Sequence, residues 1–89
     1  MTKHLLIKGH VQGVGYRMSL VQAAQKGRLT GWVRNCSDGN VEAMVQGPEK
    51  EVRALIAWVH KGPALARVDE VVESDGSGNF SDFQVRDSV

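Results

Sequence analysis

The chain has 89 residues and a formal net charge of +1, which fits one domain over residues 1–89 and excludes broad attraction to nucleic acid or to an anionic membrane. One cysteine and three histidines leave no disulfide to close and no pair at metal-ligand spacing, so no metal site is expected and stability must come from packing. The apolar run Leu5-Leu6-Ile7 is far too short for a signal h-region or a membrane span, which points to a cytoplasmic protein without membrane attachment.

In chain order, Lys3 to His10 carries that apolar run between polar ends and reads as a strand buried on at least one face. The segment Gly9-His10-Val11-Gln12-Gly13-Val14-Gly15-Tyr16-Arg17 follows directly. It places flexible backbone and a fixed positive charge where a helix begins. Glycines at 13 and 15 let the chain turn with its N–H groups inward, and a helix start adds N–H groups without intrahelical partners and the positive end of its dipole. This is the pattern of a phosphate cradle, in which the N–H groups of Gln12, Gly13, Val14, Gly15, Tyr16 and Arg17 surround an anion. The Arg17 guanidinium can grip two oxygens of one phosphoryl group, where a lysine would act as a point charge. The spacing excludes two commoner phosphate loops: no Gly-Lys-Ser/Thr ends it, and the glycines do not follow the dinucleotide fingerprint. By itself such a turn often does no more than reverse the chain, so the loop alone leaves both readings open.

From Tyr16 to Lys26, Leu20 and Ala24 recur four apart with Val21 and Ala23 beside them, a helical stripe that Gly27 is expected to end in the left-handed conformation. Arg17 then lies in the first turn. Leu29 to Cys36 and Asn40 to Gln46 flank Ser37-Asp38-Gly39, a strong hairpin signal. Val41, Ala43 and Val45 alternate with Glu42, Met44 and Gln46, so one face of that strand is buried. Asn35 puts a carboxamide near the end of the first hairpin strand. Gly47-Pro48-Glu49 opens a second helix with apolar Val52, Leu55, Ile56 and Val59, ended by His60, Lys61, Gly62 and Pro63. Val68 to Glu73 and Phe80 to Arg86 read as two more strands, with Ser74 to Asn79 short enough to join them as a hairpin. The order is βαββαβ, an α+β ferredoxin-like sandwich with two helices on one face of an antiparallel sheet, and the last strand pair leaves room for an extra edge.

Gly9 to Arg17 together with Gly31-Trp32-Val33-Arg34-Asn35, Asp38-Gly39, Val41-Glu42, Gln46-Gly47-Pro48 and Phe83-Gln84-Val85-Arg86 resembles the acylphosphatase family, small enzymes that hydrolyse the carboxyl-phosphate bond of acyl phosphates. The resemblance runs along nearly the whole chain. Tyr16 stands where the family usually has phenylalanine, and Cys36 where it often has threonine; neither departure touches Arg17 or Asn35, on which the resemblance places catalysis. It implies a ferredoxin-like fold, a small-molecule acyl phosphate as substrate, and no metal or organic cofactor. An acyl phosphate has a good carboxylate leaving group, so hydrolysis needs charge stabilisation and a positioned water more than a strong nucleophile. The cradle and Arg17 would hold the phosphoryl oxygens, and Asn35 would orient the water. A carboxamide accepts through oxygen and donates through nitrogen but is too weak a base to remove a proton, which leaves that proton to an oxygen of the substrate's own phosphate. Inorganic phosphate or sulfate should compete for the same cradle.

Other residues have plainer readings. Arg34, Arg53, Arg67 and Arg86 read as solvated surface charges, and His4, His10 and His60 as surface or strand-end residues without a carboxylate partner recognisable in the sequence. Cys36 reads as structural, since no His signature activates it, and Trp32 and Trp58 as packing residues. The main competing function is a non-catalytic phosphate- or anion-binding ferredoxin-like module that shares Arg17 and the loop. A domain serving carbamoyl phosphate inside a larger maturation protein is disfavoured because the sequence stops after its last strand. RNA binding is disfavoured because Lys3 to His10 and Asn40 to Gln46 offer no aromatic stacking platform. With no heptad and no apolar surface run, a monomer is expected.

Overall fold

The computed structural model describes residues Met1–Val89. Its elements are β1 (Thr2–His10), α1 (Tyr16–Lys26), β2 (Thr30–Asn35), β3 (Val41–Gln46), α2 (Glu49–Lys61), β4 (Arg67–Asp75) and β5 (Phe83–Val85). The strands form one sheet in the order β4-β1-β3-β2-β5. Both helices cover one face, because only that face carries the apolar alternation: Leu5 and Ile7 of β1, Val33 of β2 and Val41, Ala43 and Val45 of β3 meet Leu20, Val21 and Ala24 of α1 and Val52, Leu55, Ile56 and Val59 of α2. The result is a ferredoxin-type α+β sandwich. No helix is long and apolar enough to cross a membrane.

The sheet departs from the expected pattern at its last strand. β1 pairs antiparallel with β3 and β4, and β2 antiparallel with β3, but β5 lies parallel to β2, with Val33 opposite Val85. The sheet is therefore mixed, and β4 and β5 occupy opposite edges rather than forming a hairpin through Ser74 to Asn79. Alternation in Phe83 to Arg86 specifies which face is buried but not which neighbour is paired, and an antiparallel hairpin is only the shortest of the available connections. The observed crossover is held by the end of β3. Gln46 Nε2 donates to the Gly78 carbonyl at 2.7 Å, and the Phe80 N–H donates to Gln46 Oε1 at 3.2 Å.

The end of α1 is a second correction. Gly27 has φ −85° and is not left-handed; Arg28 takes that conformation, with φ 56°. The N–H of Leu29 reaches back to the Ala24 carbonyl at 2.9 Å and that of Arg28 to Gln25 at 3.0 Å, the paired bonds of a Schellman motif whose left-handed position falls one residue after the glycine. Insertion of Leu29 into the core, where it is 3% exposed, supplies the apolar contact that usually accompanies this motif and offsets the roughly 1 kcal/mol cost of a left-handed L-residue.

Tyr16 joins the two helices. Val59 lies four residues before Pro63, which has no N–H, so its carbonyl lacks the usual helical donor. The Tyr16 hydroxyl fills that position, donating to Val59 O at 2.7 Å in a buried contact, while the ring lies 5.6 Å from that of Trp58. Burial pushes the phenol above its ordinary pKa, so it is protonated and donates at neutral pH. We predict that Tyr16→Phe leaves this carbonyl unpaired and destabilises the fold by about 1–2 kcal/mol. Thermal unfolding should show a drop in Tm of several degrees, and an unchanged Tm would mean that the hydroxyl contributes nothing net.

Candidate active site

The β1–α1 loop, the first turn of α1, the end of β2 and the edge strand β5 enclose a cleft of about 210 Å³. Gln12, Gly13, Gly15, Tyr16 and Arg17 line one side and Asn35 the other, with Val11, Met18 and Val85 completing the wall. Of the residues expected to surround an anion, only Val14 is not among those lining the cleft; its side chain packs instead against the core.

Local backbone explains the loop. Gly13 has φ 75° and Gly15 φ 76°, both left-handed, and no atom lies within 4 Å of where a Cβ would stand at either position. Conformation rather than crowding therefore calls for glycine there. Gly15 serves as the N-cap of α1 without a side-chain cap bond, and none of the 14 backbone hydrogen bonds outside the regular elements starts from an N–H of residues 12–18. These groups are free to donate to a bound anion, at the positive end of the helix dipole. Arg17 is half-buried. Arg34, Arg53 and Arg67 are each paired with a carboxylate, whereas Arg17 enters no ion pair or hydrogen bond within the protein.

Asn35 is brought to the same cleft by strand alternation. It lies two residues after Val33, on the helix-side face, and its Oδ1 is buried with no hydrogen-bond partner. A buried carboxamide oxygen without a donor is uncommon and costs stability unless something else supplies the proton. Arg34, one residue earlier, projects to the opposite face of the sheet.

On that opposite face the histidine and arginine readings need correction. His4 does have a carboxylate partner: its Nε2 lies 2.6 Å from Glu42 Oε2, while Arg34 Nε donates to Glu42 Oε1 at 2.7 Å. Burial alone would raise the Glu42 carboxyl, but the bonds from His4 and Arg34 outweigh it and hold the group below its ordinary value. Arg34 and Arg86 also lie over the Trp32 ring, at 4.8 and 4.9 Å from its centroid, so neither is a free surface charge. His4 and Glu42 lie 38 residues apart, a separation that only the β1–β3 pairing makes visible. None of these groups lines the cleft. Cys36 does not line it either, and burial, followed by the carboxylates of Glu42 and Asp38 and opposed by Arg34, pushes its thiol up, which disfavours a nucleophilic thiolate.

Two features of the site were not foreseen. Met18 and Val85 are 59% and 47% exposed, yet both border the cleft, giving it an apolar wall beside the cradle. The only sequence signal for Met18 is an apolar residue in the first turn that falls off the Leu20–Ala24 stripe. The other is the Gln12 side chain, whose Nε2 donates to the carbonyls of Cys36 and Asn40, each at 2.8 Å.

Comparison with known proteins agrees with this architecture. The acylphosphatase family model matches residues 3–85. An acylphosphatase of Thiobacillus denitrificans is 48% identical over 85 residues, covering 96% of each chain. A solved acylphosphatase from Coxiella burnetii superposes with a TM-score of 0.91 at 37% identity, over 96% of this chain and 90% of that one. Full-length HypF, crystallised in a phosphate- and nucleotide-bound form, is similar over 98% of this chain but only 12% of its own, with a TM-score of 0.91 and 34% identity. The chain belongs to the acylphosphatase family, and it is an enzyme of that family.

Proposed function

We propose that the cleft hydrolyses small acyl phosphates to carboxylate and inorganic phosphate by direct attack of water. The observation that carries this reading is the meeting, in one small cleft, of the free N–H run and unpaired Arg17 with Asn35, whose carboxamide oxygen has no hydrogen-bond partner in the protein. The N–H groups and guanidinium bind the phosphoryl oxygens and stabilise them as charge redistributes, since the donors are already in place and need no reorganisation. Asn35 Oδ1 accepts a hydrogen bond from the attacking water and aims it along the line of the breaking bond. A phosphate oxygen of the substrate takes the proton, because the carboxamide is too weak a base. All these groups come from one copy of the chain, so one copy suffices for the chemistry.

The deciding experiment is release of inorganic phosphate from acetyl phosphate by the purified protein, with inorganic phosphate and sulfate as competitive inhibitors. A protein that binds phosphate but does not release it from acetyl phosphate would be an anion-binding module instead.

The apolar wall bears on the acyl group. With the phosphoryl group in the cradle, the acyl carbons lie toward Met18 and Val85, where a larger apolar group buries more surface. Benzoyl phosphate should therefore be turned over with kcat/KM about tenfold above acetyl phosphate, the scale of added apolar contact in a pocket. Met18→Ser combined with Val85→Ser should shrink that ratio toward one; an undiminished ratio in the double variant would remove the wall from substrate selection.

A further inference from the structure

Gln12 belongs to the cleft through its backbone, but its side chain leads elsewhere. Both hydrogens of the carboxamide are used on the β2–β3 turn, with Nε2 at 2.8 Å from Cys36 O and 2.8 Å from Asn40 O. Those carbonyls stand on the two sides of the turn, where the Cys36 N–H also donates to Asn40 O at 2.8 Å and the Gly39 N–H to Cys36 O at 3.1 Å. Cys36 is the residue immediately after Asn35. The two bonds from Gln12 are the only hydrogen bonds that tie the β1–α1 loop to this turn. One side chain thus spans from the first residue of the cradle to the backbone beside the water-orienting carboxamide.

We propose that Gln12 is a positioning residue for hydrolysis, fixing the end of β2 against the cradle so that Asn35 stands at the correct distance from the phosphoryl group. The proposal rests on the role of Asn35 given above. The geometry favours positioning over simple support of the fold, because each carbonyl keeps another donor when Gln12 is lost: Asn40 O retains Cys36 N–H and Cys36 O retains Gly39 N–H. Removing the carboxamide therefore frees the two halves of the site to move without leaving a buried acceptor unpaired. Displacement by a fraction of an ångström is enough to matter for an attack that depends on alignment.

Gln12→Met keeps much of the side chain's length without either donor, and Gln12→Glu keeps its shape while facing an oxygen toward the two carbonyls. Each should be made alone and in an Asn35→Ala background, with kcat on benzoyl phosphate, the inhibition constant of inorganic phosphate and Tm measured for every variant. The expected result is a fall in kcat of about tenfold or more for either single substitution and, for the uncharged Gln12→Met, little change in phosphate inhibition and no further fall when it is added to Asn35→Ala, since there is then no carboxamide left to place. For Gln12→Met, an equal loss in both backgrounds would overturn the proposal, as would phosphate inhibition that weakens in step with kcat, which would assign Gln12 to the cradle itself. Wild-type kcat in folded Gln12→Met and Gln12→Glu would overturn it too while leaving Asn35 in its role. Wild-type turnover in Asn35→Ala alone would overturn both.

Discussion

Arg17→Ala should lower kcat/KM for acyl phosphate hydrolysis by about a thousandfold or more, the scale seen when an arginine is removed from a transferring phosphoryl group. The guanidinium lines the cleft without a carboxylate or carbonyl of its own to satisfy, so its charge is free to act on an anion. In the proposed mechanism it touches the phosphoryl oxygens in the ground state and in the transition state, so both affinity and turnover should suffer, and inhibition by inorganic phosphate should weaken with them. Because no internal partner is left unpaired, the Tm should change little, which separates lost chemistry from lost fold. Arg17→Lys should rescue poorly, since an ammonium cannot donate two parallel hydrogen bonds to one phosphoryl group. Near wild-type efficiency in the alanine variant would remove the cradle from catalysis.

Asn35→Ala should behave differently, lowering kcat by about a hundredfold while leaving phosphate inhibition nearly unchanged, as when one positioned hydrogen-bonding group is deleted. Its Oδ1 is buried and unpartnered in the protein, so truncation removes an acceptor that the fold itself does not satisfy. Stability should hold or rise slightly, the trade expected at a site where function is kept at some cost to the fold. Asn35→Asp sharpens the test. It places a carboxylate beside the anionic substrate and removes the amide donor, so the stronger base should not compensate for repulsion. Steady-state kinetics at neutral pH decides the matter: turnover at or above wild type in Asn35→Asp would replace water orientation with general-base catalysis.

What could be read from the sequence follows from the range of each interaction. The alternation of Val41, Ala43 and Val45 and the stripe of Val52, Leu55, Ile56 and Val59 are local periodicities, and all seven residues are buried in the core. The glycines at 13 and 15 and the arginine two positions on are likewise local, and the cleft forms around them. Contacts chosen between distant segments were not legible. β5 could have paired with either edge, and its burial pattern is the same in both cases. The Tyr16 hydroxyl matters because a proline far along the chain deprives Val59 of its donor, and nothing near Tyr16 signals this. The Gln12 carboxamide was invisible for the same reason: its acceptors are backbone carbonyls, which every sequence supplies everywhere.

The parallel docking of β5 brings one wall of the cleft from a distant part of the chain. Arg17, Asn35 and the cradle sit on β1–α1 and β2, while Val85 arrives from another direction, on a strand whose position is governed by the crossover that Gln46 clamps. Lengthening, shortening or re-sequencing that crossover would shift one wall of the cleft and pull on the end of β2 as well, since the N–H of Arg86 donates to Val33 O at 2.9 Å and that of Val89 to Asn35 O at 3.1 Å. Under the proposed function, the crossover would therefore tune together which acyl groups are admitted and where Asn35 stands over the phosphoryl group.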